Sequence, residues 1–117
     1  MSELDYTPPR DTEEFLYYWN IFIVDVKERE NLKQSHLLQL RMLCDLWVEH
    51  DVLVEEIEEN GRTYKSEGRN GTQIKTAPEV TQLARVVSEI RNYSKMLGIL
   101  LVKDTKLNEE EDANEFN

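Results

Sequence analysis

A mainly α fold, about three helices with a small β-hairpin between the second and third, is predicted by three features of the chain. Apolar residues recur every three or four positions through three long segments. Turn and capping residues bound those segments. Between the second and third lies GRTYKSEGRNGTQIKTAP, residues 61–78, whose Thr, Tyr and Ile alternate around a glycine-rich centre.

Residues 1–10 contain Pro8-Pro9 and no periodicity and are expected to form a flexible N-terminal arm. Asp11 as N-cap, with Glu14 three residues later, forms the pattern of a capping box for the first helix. Phe15, Leu16, Trp19, Phe22, Ile23 and Val26 then supply one apolar face, while Tyr17, Tyr18, Ile21 and Val24 fall partly outside it. So wide an arc fits either a core helix of one subunit or a helix shared with a neighbouring subunit.

A break at KEREN precedes the second helix, expected from about Lys33 to Asn60. Leu37, Leu40, Cys44, Trp47, Val54 and Ile57 form one face; Leu43, Leu46, His50 and Leu53 widen it. Glu55, Glu56, Glu58 and Glu59 precede the Asn60-Gly61 stop, at the end of the helix whose dipole already carries partial negative charge. Two readings stand side by side: a solvated acidic end, or one relieved by Arg62 and Lys65 or by their counterparts on an adjacent subunit.

Arg62–Ser66 and Thr72–Thr76 read as the two strands of a hairpin around Gly68-Arg69-Asn70-Gly71. Thr76, with Glu79 and Pro78, is expected to start the third helix. Val80, Leu83, Val87, Ile90 and Leu97 make its seam, with Ser94 as the polar interruption and Gly98 as the stop. The ILLVKD run after Gly98 reads as a final strand or a tucked turn. The expected organisation is thus an arm over residues 1–10, a helical domain over 11–102, for which oligomerisation and DNA recognition are implied only by the resemblance described below, and an acidic mobile tail over 103–117.

Charge is unevenly spread. The 117-residue chain has a formal net charge of −10. Residues 1–60 hold 5 Lys/Arg against 15 Asp/Glu, residues 61–106 hold 9 against 4, and residues 107–117 hold 0 against 5. One net-positive segment in an acidic chain suggests a polyanion contact on one side and protein contacts elsewhere. The candidate DNA-binding cations are Arg62, Lys65, Arg69, Lys75, Arg85, Arg91, Lys95, Lys103 and Lys106, with Tyr64 as a base- or sugar-stacking side chain. In a single copy such scattered cations equally describe a solvated face; a ring would multiply them on one surface. Candidate oligomer-interface residues are Phe15, Trp19, Phe22, Trp47 and Leu53.

Catalytic patterns are missing from the sequence. Gly68 and Gly71 are not followed by the Lys-Ser or Lys-Thr of a phosphate-cradling loop, and no glycine-framed serine elbow accompanies the two histidines. His36, Cys44 and His50 lack the spacing that places zinc ligands on one helical face. Asp45 and Glu49, four apart, read as solvated charge before they read as a divalent-cation site. No catalysis, metal or cofactor is expected. No apolar run approaches the roughly 20 residues that span a bilayer, and the acidic start is unlike a signal peptide, so an intracellular protein without membrane contact is expected. Cys44, among Leu40, Leu43 and Trp47, reads as a buried small hydrophobe.

The order of a helix, the long segment LLQLRMLCDLWVEHDVLVEEIEENG, the GRTYKSEGRNGTQIKTAP insert and PEVTQLARVVSEIRNYSKMLGI resembles the short-chain small terminase subunits of tailed bacteriophages over roughly residues 12–100. Lys33 and His36 stand where such proteins usually place a small capping residue and an aspartate, and Ile99-Leu100 replaces their Thr-Pro after the glycine. The resemblance implies a ring-shaped homo-oligomer without enzymatic activity. It would recognise viral double-stranded DNA and hand it to the large terminase subunit, whose ATPase and nuclease do the chemistry. It also makes Glu109, Glu110, Glu111 and Asp112 of the tail a candidate contact for the large subunit, and implies residence in the host cytoplasm and absence from the mature virion. A helix-turn-helix module is not expected in the short stretch before the first helix. The competing reading is a small acidic helical adaptor or regulator that works by protein contact without binding DNA.

Overall fold

A long central helix organises the molecule in the computed structural model, which describes residues 4–99. The elements run α1 (Glu13–Lys27), α2 (Gln34–Asn60), β1 (Thr63–Gly68), β2 (Gly71–Thr76) and α3 (Pro78–Leu97). Three helices with one two-stranded antiparallel sheet between α2 and α3 is the predicted fold. At about 1.5 Å per residue α2 is roughly 40 Å long, and it supplies the surface on which the other two helices pack.

The apolar arc of α2 is wide because it is covered from two sides. Leu37, Leu40, Leu43, Cys44, Leu46, Trp47, His50, Leu53 and Ile57 are all buried. α1 returns antiparallel along its first half, bringing Tyr18 into a stack with Trp47 at 5.4 Å between ring centroids. α3 runs back antiparallel along its full length: Arg85 meets Glu49 at 3.2 Å, and the Tyr93 hydroxyl donates to the Met42 sulfur at 3.3 Å. Leu83, Val86, Val87, Ile90, Ser94 and Leu97 face inward from α3. Ser94 is enclosed with its hydroxyl lacking a hydrogen-bond partner.

The helix ends show where local chemistry departs from the sequence reading. The first turn of α1 closes by donation from the Leu16 N–H to the Thr12 carbonyl at 3.0 Å, so Thr12 and not Asp11 is the N-cap. Glu14 therefore falls at the second helical position, and the expected capping box does not form. At α2 the N-cap is Lys33, whose side chain has no acceptor to offer. Its backbone N–H instead donates to Nδ1 of His36 at 2.9 Å, half of a capping box made by an imidazole. At α3 the cap is Ala77, because Thr76 is taken up by β2, where it pairs with Thr63. Pro78 occupies the first position, where a missing N–H is harmless.

The C-terminus of α3 is closed as the sequence predicts. Gly98 has φ +68°, its N–H donates to the Lys95 carbonyl at 3.1 Å, and the Ile99 N–H reaches the Ser94 carbonyl at 2.9 Å. Those two bonds are a Schellman motif, which needs the left-handed conformation glycine adopts without a Cβ penalty. Arg29 donates to the Met96 carbonyl at 3.0 Å and joins the end of α1 to the same place.

Residues 4–10 have no regular secondary structure but lie against the helices. Leu4 and Tyr6 pack on the core, Lys27 sits 4.7 Å from the Tyr6 ring centroid, and the Asp5 N–H donates to Gln34 Oε1 at 3.1 Å. Arg10 grips Asp45 with two bonds, at 2.8 and 3.2 Å. The ILLVKD run beyond Ile99, the acidic tail, and with them Lys103, Lys106, Glu109, Glu110, Glu111 and Asp112, lie outside the described residues.

Candidate nucleic-acid interface

The hairpin that carries the insert's cations contributes no side chain to the core. Every residue of β2 is exposed, and in β1 only Ser66 is half-covered. Its register pairs Thr63 with Thr76, Tyr64 with Lys75, Lys65 with Ile74, Ser66 with Gln73, Glu67 with Thr72 and Gly68 with Gly71. Arg69 and Asn70 form the tip. Among the described residues Asn31 is the only non-glycine with positive φ, so the tip residues keep negative φ and the strained position falls on Gly71, at φ +94°. The ladder runs one-to-one up to Gly68 and Gly71, so the tip is a two-residue turn closed by a glycine in the positive-φ region. At the base, the Ala77 N–H donates to the Arg62 carbonyl at 2.8 Å and fixes where the ribbon leaves the helices.

Strand alternation then divides the candidate cations. Directly opposed residues share a face. Tyr64, 46% exposed, and Lys75 occupy one side of the ribbon; Lys65 and Ile74, 72% exposed, occupy the other. Arg69 stands at the tip and Arg62 at the base. The four basic residues therefore surround the ribbon, with Glu67 the one carboxylate among them.

The helical cations do not join them. Arg85 is held between Glu89 at 3.1 Å and Glu49 at 3.2 Å, so its charge is already matched. At 3.6 residues per turn, Arg91 and Lys95 lie about 40° apart around α3, whereas Arg85 lies about 120° from Arg91. Lys95 is in the last turn of α3, roughly 26 Å along the helix from Pro78 and the hairpin base. Of the seven candidate cations among the described residues, the tertiary structure gathers Arg62, Lys65, Arg69 and Lys75 on the hairpin.

The residues expected at an oligomer interface are used inside the subunit. Phe15, Trp19, Phe22, Trp47 and Leu53 are between 0% and 5% exposed, leaving almost no area for a neighbour. They pack on one another and on Tyr18: Phe15 stacks on Trp19 at 5.7 Å, Tyr18 on Phe22 at 6.4 Å and on Trp47 at 5.4 Å. The large apolar side chains that the helices leave facing outward are different ones, Tyr17, Ile21 and Val24 on α1, Leu38, Met42 and Val52 on α2 and Met96 on α3. Within the wide arc of α1 only Tyr18 turns inward from the secondary set.

Tyr18 brings a polar group that the periodicity did not reveal. Its hydroxyl donates to Asp51 Oδ2, and Asp51 Oδ1 lies 2.9 Å from Nδ1 of the fully enclosed His50. A carboxylate only accepts, so the imidazole proton sits on Nδ1. The sequence signal was a tyrosine beside the apolar stripe and a histidine within one, both of which need a polar partner once buried. Burial, and secondarily the charge of Asp45, pushes the Cys44 thiol up to about 12, which keeps it protonated and unreactive. The Arg10 guanidinium is held above its ordinary value by its hydrogen bonds to Asp45. Among the described residues no group of three His, Cys, Asp or Glu is placed to hold a metal, and no helix is long and apolar enough to cross a membrane.

The family described as "Phage terminase, small subunit" matches residues 17–114, most of the chain. No curated protein and no solved structure matches significantly.

Proposed function

Because the chain belongs to the phage terminase small-subunit family, its role lies in phage DNA packaging, and within that role we propose that it is a non-catalytic ring-forming subunit that binds viral DNA and delivers it to the large terminase subunit. The observation that carries the DNA-binding part is the hairpin: four cations around a ribbon that buries nothing, held away from an otherwise acidic body. Phosphate contacts supply sequence-independent affinity, and a tip arginine with flanking lysines is suited to them. Tyr64, half-exposed beside Lys75, adds a flat surface for a sugar or base. Four cations in one copy make a weak site, so the reading includes a ring that repeats the hairpin around an axis. Arg91, Lys95, Lys103 and Lys106 would contribute only if the assembly or the bound DNA brought their end of the subunit into reach.

In the same proposal Glu109, Glu110, Glu111 and Asp112 contact the large subunit, and the protein works in the host cytoplasm without entering the mature virion. The net charge of −10 favours the second reading, an acidic adaptor acting by protein contact alone. Native mass measurement with DNA titration separates the two. The packaging reading expects a closed assembly beyond a dimer at micromolar concentration. It also expects DNA affinity that falls with salt, with a slope reduced by about one for each of Arg69→Ala and Lys75→Ala. A monomer or dimer that fails to bind DNA at low salt would overturn it in favour of the adaptor.

A further inference from the structure

Within one subunit the hairpin leaves an apolar and basic face with nothing against it. Ile74 is the most exposed large hydrophobic side chain among the described residues, at 72%, and Lys65 stands directly beside it on the neighbouring strand. An isolated two-stranded hairpin is marginal in water, and a bare isoleucine at its centre marks the face that a partner would cover.

A surface of matching chemistry lies on the second half of α2. Val52, 49% exposed, Glu55, Glu56 and Glu59 recur at helical spacing and fall within about 100° of arc. Further down the same stripe, Asp45 and Glu49 are ion-paired to Arg10 and Arg85, but the three glutamates near the helix end pair with no cation among the described residues. The last turn of α2 holds no basic residue to offset either these carboxylates or the helix dipole. An apolar spot followed by unmatched carboxylates is complementary to an isoleucine followed by a lysine.

The two surfaces do not meet within one chain. The Ala77–Arg62 hydrogen bond sets the ribbon's departure from the helices, and neither strand has a buried residue, so the hairpin is not folded back on its own α2. We infer that the Ile74–Lys65 face of one subunit docks on the Val52–Glu59 stripe of α2 in a second copy, which rests on the self-assembly proposed above and names the surfaces that make it. Such a contact is heterologous, since a different patch is used on each partner, and it therefore builds a ring when the rotation closes and a filament when it does not. It takes Lys65 out of the set of cations available to DNA and leaves the opposite side of the ribbon, with Tyr64 and Lys75, and the Arg69 tip facing outward for that contact.

Charge exchange tests the contact. Lys65→Glu, the pair Glu55→Lys/Glu59→Lys, and all three substitutions combined are compared with the full-length chain by native mass measurement at micromolar concentration and rising salt. All the changed positions are exposed or at a helix end, and helicity is checked by circular dichroism. Ile74→Ser supplies a hairpin variant without charge reversal. The wild type should assemble beyond a dimer and loosen with salt. Each single-surface variant should lower the assembled fraction about tenfold, and the combined variant should recover most of it. Undiminished assembly in the single-surface variants, or a combined variant no better than either, would overturn this interface while leaving ring formation standing. A wild type that stays monomeric would overturn both.

Discussion

Replacing residues 63–76 by Gly-Ser-Gly-Ser should leave the helical core about as stable as it is in the intact chain. No residue of that segment belongs to the buried core, so the helices lose no apolar contact when it goes. Residues 61, 62 and 77 are retained, and with them the Ala77–Arg62 hydrogen bond, whose loss would cost about 1 kcal/mol. Shortening the stretch closed by that bond about 3.5-fold, from residues 63–76 to four, returns about 1 kcal/mol of loop-closure entropy. The two effects bracket zero. Urea unfolding followed by circular dichroism reads the difference, with the oligomeric state followed in the same samples so that loss of assembly is not mistaken for loss of fold. A destabilisation beyond about 2 kcal/mol in the monomer would refute the reasoning, because it would mean that the ribbon packs on the helices it is described as leaving. The same variant should lose DNA affinity, which separates the element that folds the chain from the one proposed to use it.

Two further outcomes follow from the core. Ser94→Ala should stabilise the protein by about 1 kcal/mol, since it removes an enclosed hydroxyl without a partner and places a better helix former in α3. Thermal melting should register this as a rise of several degrees, and a fall would show that the hydroxyl has a partner. The Cys44 thiol should resist modification by thiol reagents until the protein unfolds. Its pKa lies at 9.0 in an exposed reference and at about 12 in the fold, so the unfolded chain loses the proton first. Stability should therefore decline as pH rises through that window, by at most about 1.4 kcal/mol per pH unit from this group, and the decline should be absent from Cys44→Ala. Equal pH slopes in the two proteins would sink the assignment.

The local grammar of the chain accounts for much of the architecture. Spacing alone placed α2 within a residue of its observed start, and Pro78 and Gly98 bounded α3, because proline at a first helical position and glycine in a left-handed closure are decided by the backbone of a few residues. The hairpin was legible for the same reason, although its strands extend to Gly68 and Gly71 and tighten the turn to Arg69-Asn70. Caps were harder to read. Asp11 and Thr76 have the right chemistry, but one residue of shift in the first hydrogen bond, or recruitment of Thr76 into a strand, hands the position to Thr12 and Ala77.

The sequence by itself determined three helices, a basic hairpin between them and the pattern that marks the phage terminase small-subunit family, because periodicity, turn chemistry and charge are properties of neighbouring residues. Tertiary structure decided which surfaces remain for function. It enclosed Phe15, Trp19, Phe22, Trp47 and Leu53 between helices far apart in sequence, and it matched Arg85 to Glu49 across α2 and α3. It also set Lys65 and Lys75 on opposite sides of one ribbon, since a residue's face in a hairpin is fixed by the register of its partner strand. Composition cannot record those pairings, because each depends on where a distant segment comes to lie.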